Sequence, residues 1–292
     1  MVTRHFSSAP ATLPLLLKAA LPAVPLVGAL PGVRHGEYVL PDIDLLRTGV
    51  TTEAEQLERY LAICGFTRGD TLPVTHPHLA AFGLHLALMT DTAFPFAPMG
   101  LVHLRNTITQ HRPIGVTEEY DVRVRAGDLR PHPKGSLVDL LTDVSVGGEL
   151  VWHEVTTLLS RGADGADEES PSALEDVEVP DGVVHWRLPG DLGRRYAAVS
   201  GDRNPIHLFS LSAKAFGFKS QIAHGMWTKA RCLAALQNRL PDAFSVEVEF
   251  RKPVLLPTTV VLGSRPHGQG LEFGVRGARK PVPHLVGRVI PA

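Results

Sequence analysis

Apolar residues recur along this chain at two alternating periods. Thr52-x-x-Glu55 reads as a capping box. It precedes Leu57, Tyr60, Leu61 and Cys64, which share one helical face, and Gly65 ends the run. A second helical stretch opens at Val74-Thr-His-Pro-His78 and runs through Leu79, Phe82, Leu86 and Met89. A third opens at Ile222-Ala-His-Gly-Met226 and runs through Ala230, Leu233 and Leu236. After the second and third helices the period drops to two. Tyr120 to Arg125 alternates apolar and polar, and Leu137 to Asp143 and Val151 to Leu159 follow, with Gly147-Gly148 as a hairpin turn. Further on, Thr258 to Leu262, Leu271 to Val275 and His284 to Ile290 repeat the pattern, with Gly268-Gln-Gly270 between two of them. A long helix followed by antiparallel strands, twice over, predicts an α+β fold.

The repeat extends to spacing. From His224 to Pro253, in Val246-Glu-Val-Glu-Phe-Arg-Lys-Pro-Val254, is 29 residues; from His76 to Pro113, in Asn106-Thr-Ile-Thr-Gln-His-Arg-Pro-Ile114, is 37. The loop Thr92-Ala-Phe-Pro-Phe-Ala-Pro98 accommodates the difference. Gly162 to Asp181 separates the halves with eight acids and no Lys or Arg, so it reads as an exposed linker. The expected domains are therefore residues 1–161, an acidic linker over 162–181, and 182–292. The stretch Ala9 to Leu30 is apolar but is interrupted by Pro14, Lys18, Pro22 and Pro25. It is expected to be a proline-punctuated surface segment rather than a signal peptide.

Composition narrows the function classes. At 292 residues the chain can bury a core without staples. A formal net charge of −1 offers no basic face for nucleic acid. No apolar run reaches membrane-spanning length. Cys64 and Cys232 are too few for a disulfide framework and fit a reducing, cytoplasmic setting.

The densest chemistry lies at Tyr196-Ala-Ala-Val-Ser-Gly-Asp-Arg-Asn-Pro-Ile-His207. Pro205 excludes Asn204 from the helical region, so a tight, extended turn is expected. Gly201 permits angles that a side chain forbids. Such a turn can point Asp202 and His207 into one cleft while Asn204 ties the loop to its own backbone. In an apolar pocket the carboxyl pKa rises and the imidazole pKa falls, so both exchange protons near neutrality. Taken alone, D-x-N-P equally marks an ordinary capped turn. Gly225 lies 23 residues after Asp202, at the first turn of the third helix. A free N–H there, without a Cβ in the way, would stabilise a developing oxyanion by about 3 kcal/mol. An acid, a base and that donor are what enolate chemistry on a thioester requires.

Tyr196-x-x-x-Ser-Gly-Asp-x-Asn-Pro-Ile-His207, with Ala215-x-Gly-Phe218 and His224-Gly-Met226, resembles the motif of the MaoC-like dehydratases and (R)-specific enoyl-thioester hydratases. The match is specific over roughly 35 residues. The whole C-terminal half is similar to the family's domain. The N-terminal half is similar, less specifically, to the double hot-dog, single-chain 3-hydroxyacyl-thioester dehydratases, through Pro77-His-Leu-Ala-Ala-Phe82 and Gly100-Leu-Val-His-Leu-Arg-Asn106. The resemblance implies two fused hot-dog domains, each an antiparallel sheet wrapped around a central helix, the first of them degenerate. It implies that Asp202 and His207 activate water and move its proton, and that the Gly225 N–H binds the thioester oxygen. Asn204, Ser200, Gly201 and His224 would order the loop and the substrate. It implies reversible hydration of trans-2-enoyl thioesters to (3R)-hydroxyacyl thioesters on coenzyme A or acyl carrier protein, with no metal or redox cofactor, in a monomer or homodimer. The N-terminal half contains no D-x-N-P-x-H, and Pro77 stands where Gly225 would align, without an N–H to donate.

Several weaker signals compete. His76, His78 and His85 are expected to be structural rather than metal ligands. Arg251-Lys252 would either meet substrate phosphates or end a strand in solvent. Arg123 and Arg125 are expected to be solvated, and Lys214 and Lys219 receive no role. Ser200 lacks a G-x-S-x-G elbow. A thioesterase, or a module that binds acyl thioesters without turnover, would use the same fold; retention of both Asp202 and His207 disfavours the latter.

Overall fold

A computed structural model describes residues 2–20, 39–162 and 172–292. In chain order its elements are β1 (Val2–Phe6), α1 (Thr12–Ala20), β2 (Ile43–Val50), α2 (Ala54–Cys64), α3 (Pro77–Met89), β3 (Val102–Gln110), β4 (Tyr120–His132), β5 (Gly135–Val146) and β6 (Glu149–Arg161). They continue with β7 (Val184–Leu188), α4 (Leu192–Ser200), α5 (Pro205–Leu208), α6 (Ser210–Ala215), α7 (Gly225–Leu236), β8 (Phe244–Phe250), β9 (Thr258–His267), β10 (Gly270–Gly277) and β11 (Pro283–Pro291). Two compact units interleave in sequence. The first takes Met1–Thr51, Pro77–His103 and Glu119–Ser170; the second takes Thr52–His76, Leu104–Glu118 and Pro171–Ala292.

In the first unit the strands lie in the order β1-β2-β4-β5-β6. β1 pairs parallel to β2, and the remaining neighbours are antiparallel. The β5–β6 hairpin turns at Gly147 and Gly148, both with positive φ, as the sharp turn requires. Helix α3 packs on β2, β4 and β5. It is buried on more than the one expected face: His78 and His85 point inward, while Leu79, Phe82 and Met89 are only partly covered. Their polar atoms are matched inside. The His78 Nδ1–H donates to both oxygens of Glu154 at 3.0 and 2.9 Å, and His85 Nε2 lies 2.7 Å from Thr142 Oγ1. Arg123 and Arg125 are ion-paired rather than simply solvated, with Asp44 and Asp143 respectively.

The second unit orders its strands β3-β8-β11-β10-β9-β7. Val246 and Val248 are buried and alternate with the half-buried Glu247 and Glu249. Helix α7 packs on β10 and on α2. One turn beyond its start, the fully buried Lys229 donates from Nζ to the Asn106 backbone oxygen at 3.1 Å, to Asn106 Oδ1 at 2.5 Å and to the Val246 oxygen at 3.2 Å. That satisfaction is what makes a buried cation tolerable.

Three local expectations are refined. The α2 N-cap is Glu53, without a side-chain cap bond, and Thr52 Oγ1 is buried without a hydrogen-bond partner among the described residues, so the capping box does not form; Gly65 does end the helix in the left-handed region. The proline-punctuated segment holds α1, where Pro14 falls in the first turn that tolerates it; residues 21–30 lie outside the described residues. Residues 163–171 of the acidic run do too. Beyond them Glu175, Asp176, Glu178 and Asp181 are exposed, whereas Leu174 and Val177 are buried with Val286. Among the described residues no helix is long and apolar enough to cross a membrane.

Three imidazoles are held neutral by burial. His76 is pushed down to about 4, His85 to about 3 and His224 to about 3. Both nitrogens of His76 lack a hydrogen-bond partner among the described residues, and its ring meets Tyr60 edge-on at 5.3 Å. Such groups gain protons only on unfolding, so the unfolded chain binds more protons below pH ~6.5 and stability falls as pH falls. All three act in the same direction, so their contributions to the loss of stability on acidification add. Melting temperature is therefore expected to drop steeply below about pH 6.5. His76→Phe, which keeps the ring and removes the orphaned nitrogens, is expected to raise stability and flatten that slope. A melting curve indifferent to pH between 7 and 5 would rule this out.

Candidate active site

The motif residues converge within the second unit, on three short elements. Helix α4 ends at Ser200, and Gly201 adopts φ 77°, with its N–H on the Ala197 carbonyl. The chain reverses there, and the Asp202 N–H donates to Ser200 Oγ at 3.2 Å. Asn204, at φ −55° and ψ 126°, is the N-cap of α5; its Oδ1 accepts the Ile206 N–H at 3.4 Å, and Pro205 takes the first helical position. Asn204 thus lies outside the helical region, as Pro205 requires, and caps a single helical turn. Asp202 Oδ1 accepts the Asn204 N–H at 3.1 Å, which fixes the carboxylate to the loop.

His207 is buried, and its Nδ1 lies 2.8 Å from the Ile222 oxygen. A carbonyl only accepts, so Nδ1 carries the proton and Nε2 carries the lone pair. Burial pushes the imidazole pKa down, opposed by Asp202. His224, the N-cap of α7, places its Nε2 3.0 Å from the Asp202 carbonyl oxygen and 3.7 Å from Asp202 Oδ2. By the same reasoning its Nε2 is protonated, and its Nδ1 is buried without a partner among the described residues. Its ring stacks on His207 at 3.7 Å and 25°, and Tyr196 lies against it at 4.9 Å. Burial, reinforced by His207, holds it neutral. Acid–base atoms of Asp202, His207 and His224 therefore lie within 4.8 Å of one another.

Gly225 is the first residue of the twelve-residue α7, where N–H groups lack intrahelical acceptors. A Cβ at Gly225 would sit 3.0 Å from the Phe250 ring.

A family model described as MaoC like domain matches residues 183–273. The 3-hydroxyacyl-thioester dehydratase X of Mycobacterium tuberculosis is 41% identical over 281 residues, covering 96% of this chain and 98% of that protein. The chain belongs to the MaoC-like dehydratase family. It is accordingly an enzyme, a hydro-lyase. The crystal structure of HtdX from Mycobacterium tuberculosis aligns with a TM-score of 0.76 at 40% identity, covering 85% of this chain and all of that one, 100%. A Mycobacterium tuberculosis protein described as having a double hotdog fold aligns at 0.55 with 15% identity, covering 84% of this chain and 94% of that one. The fold is the double hot-dog.

Among the described residues two clusters bring ionisable side chains together, His78-His85-Glu154 and Asp202-His207-His224. In the first, His78 donates to Glu154; in the second, His224 Nε2–H is committed to the Asp202 carbonyl. Arg251 is likewise engaged: its Nη2 donates to the Leu174 oxygen at 2.6 Å and its Nε lies 2.7 Å from Glu249. Of the Arg251-Lys252 pair, only Lys252 stays exposed.

Two positions that the motif does not contain shape the site. Phe250 closes over Gly225. Gly193, buried in α4, approaches α5 so closely that a Cβ there would lie 2.0 Å from the His207 carbonyl oxygen. No pattern in the sequence marks it, because the need arises from a backbone fourteen residues away. Gly193→Ala is expected to push α5 outward, cost about 1–3 kcal/mol as overpacking does, and lower turnover more than substrate affinity. A variant with wild-type stability and rate would show that α4 and α5 are not in contact as described.

Proposed function

We propose that this dehydratase catalyses reversible hydration of trans-2-enoyl thioesters to (3R)-hydroxyacyl thioesters, carried on coenzyme A or acyl carrier protein. One observation supports the reading most. The His224 side chain touches both Asp202 and His207, and its own peptide leads into Gly225. Proton carriers and oxyanion donor are thus tied to a single residue. The names of the similar proteins, one a 3-hydroxyacyl-thioester dehydratase and one a 3-hydroxybutyryl-CoA dehydratase matched over 63 residues, agree with it.

In hydration, Asp202 and the His207 Nε2 lone pair hold a water and remove its proton as the oxygen adds to C3. Electrons pass through C2 to the thioester oxygen, and the Gly225 N–H stabilises the charge there. The proton then passes to C2 on the same face. Dehydration is the reverse: the pair takes the C2 proton and protonates the departing C3 hydroxyl. Asn204, Ser200 and Gly201 hold the loop that presents Asp202. The catalytic residues fall within 182–292. The half spanning 1–161 has no D-x-N-P-x-H and starts its helix on Pro77, so it completes the fold and leaves one active site per chain. Cys64 and Cys232 are free and buried, which suits a cytoplasmic setting.

A ladder of trans-2-enoyl-coenzyme A substrates, short to long, is expected to be hydrated, with the rate reporting the length of the acyl site. Asp202→Asn and His207→Ala are each expected to lose about 10²–10⁴ in kcat while remaining folded. Ligand binding without loss of the double bond, on coenzyme A and carrier-protein thioesters alike, would overturn the assignment.

The acid limb of kcat/KM reports His207 losing its lone pair. Since burial lowers that pKa, activity is expected to persist below pH ~6.5 and to fall only at lower pH. A limb above the ordinary imidazole range would contradict the neutral, buried His207.

A further inference from the structure

Directly after His207 the chain leaves the interior. Helix α6 follows, capped by Phe209 before it and Phe216 after it. Leu211 is 83% exposed, Phe209 56% and Phe216 37%. Three large apolar side chains held in solvent within eight residues are informative, because a scattered exposed leucine is ordinary and a cluster is not.

Charge gathers on the same segment. Residues 192–222 hold Arg194, Arg195, Arg203, Lys214 and Lys219 and a single acid, Asp202, in a chain whose net charge is −1. All five cations are exposed. The two kinds of surface are physically joined. The Arg194 guanidinium lies 5.1 Å over the Phe209 ring and donates to the Leu208 oxygen at 2.8 Å. The platform is also pegged to the catalytic turn. Ser212 Oγ donates to the Pro205 oxygen at 2.7 Å, Ser210 Oγ to Gln221 Oε1, and Gln221 Nε2 to the Gly190 oxygen at 2.8 Å.

We infer that the α6 face, Phe209, Leu211 and Phe216 ringed by Arg194, Lys214 and Lys219, is the docking surface for an acidic acyl carrier protein that presents the thioester to Asp202 and His207. This rests on the thioester reading above and chooses between its two carriers. Free coenzyme A brings phosphates, which need cations but have no use for an exposed leucine and two phenylalanines. An acidic protein surface uses both, an apolar centre for contact and a cationic rim for steering and register. The position follows from the chemistry, since a carrier holding its cargo on a flexible arm must dock beside the site the arm enters. Here the face begins two residues after His207.

The test titrates the full chain into fluorescently labelled, unacylated holo-acyl carrier protein of acidic surface, followed by anisotropy at low and high salt. Wild type is expected to bind, more weakly as salt rises. Leu211→Asp and the double variant Lys214→Glu/Lys219→Glu are each expected to bind at least about tenfold more weakly, the loss of roughly one hot-spot contact. On enoyl-carrier-protein substrate, kcat/KM is expected to fall in parallel, while hydration of the matching enoyl-coenzyme A stays within about twofold. Absence of wild-type binding overturns the inference, as do variants that bind like wild type. Equal loss on both thioesters overturns it in favour of coenzyme A phosphates. A wild-type dimer that Leu211→Asp converts to monomer overturns it in favour of a second copy of this chain. Anisotropy needs no turnover, so an enzyme that docks the carrier but hydrates nothing would count against the thioester reaction and not against the surface.

Discussion

The candidate site depends on one buried imidazole, that of His224. His224 is wedged between the Tyr196 ring and the His207 ring, and its single available N–H is spent on the Asp202 backbone carbonyl. That bond holds the loop carrying Asp202. The stack holds the His207 ring. Because His224 caps α7, its backbone also sets where the Gly225 N–H emerges. Precise catalytic geometry requires a supporting shell with locked rotamers, and a stacked, neutral ring in a dry setting supplies one. The cost is visible in the orphaned Nδ1 and in an imidazole pushed down to about 3.

The same compromise recurs elsewhere in the chain. His78 with Glu154, His85 with Thr142, and Lys229 with Asn106 all place polar groups at the heart of a hot-dog unit. Each is tolerable because its partners are already inside. His76 has no such partner for either nitrogen among the described residues. Helices α3 and α7 thus serve as central helices without being purely apolar, and hydrophobic burial alone does not account for their orientation.

Local backbone chemistry sets up the catalytic turn with few residues. Gly201 in the left-handed region ends α4, Asn204 caps α5, and Pro205 starts it with the φ it already has. These are short-range effects, and they are why Asp202 and His207 bring side-chain atoms within 4.8 Å although they lie five residues apart. The approach of α4 to α5 through Gly193 is of another kind: a long-range constraint met by the absence of an atom.

Periodicity and turn chemistry by themselves determined the helices from Pro77 and Gly225, the paired glycine hairpin at 147–148, and the strands from Tyr120 and Thr258 onward. Those features are local, set by side-chain alternation and by glycine's freedom at positive φ. The motif from Tyr196 to His207 was legible for the same reason. The short β1, β2 and β7 were not, since each is settled by the strand it pairs with. Nor was the α2 cap, displaced by one residue, or the burial of Leu174 and Val177 within an acidic run. The contacts His224 makes, and the places of Gly193 and Phe250 around the turn, were decided only by tertiary structure. Each depends on contact with residues 14 to 25 positions away, and no local pattern of hydrophobicity or charge encodes a distance across space.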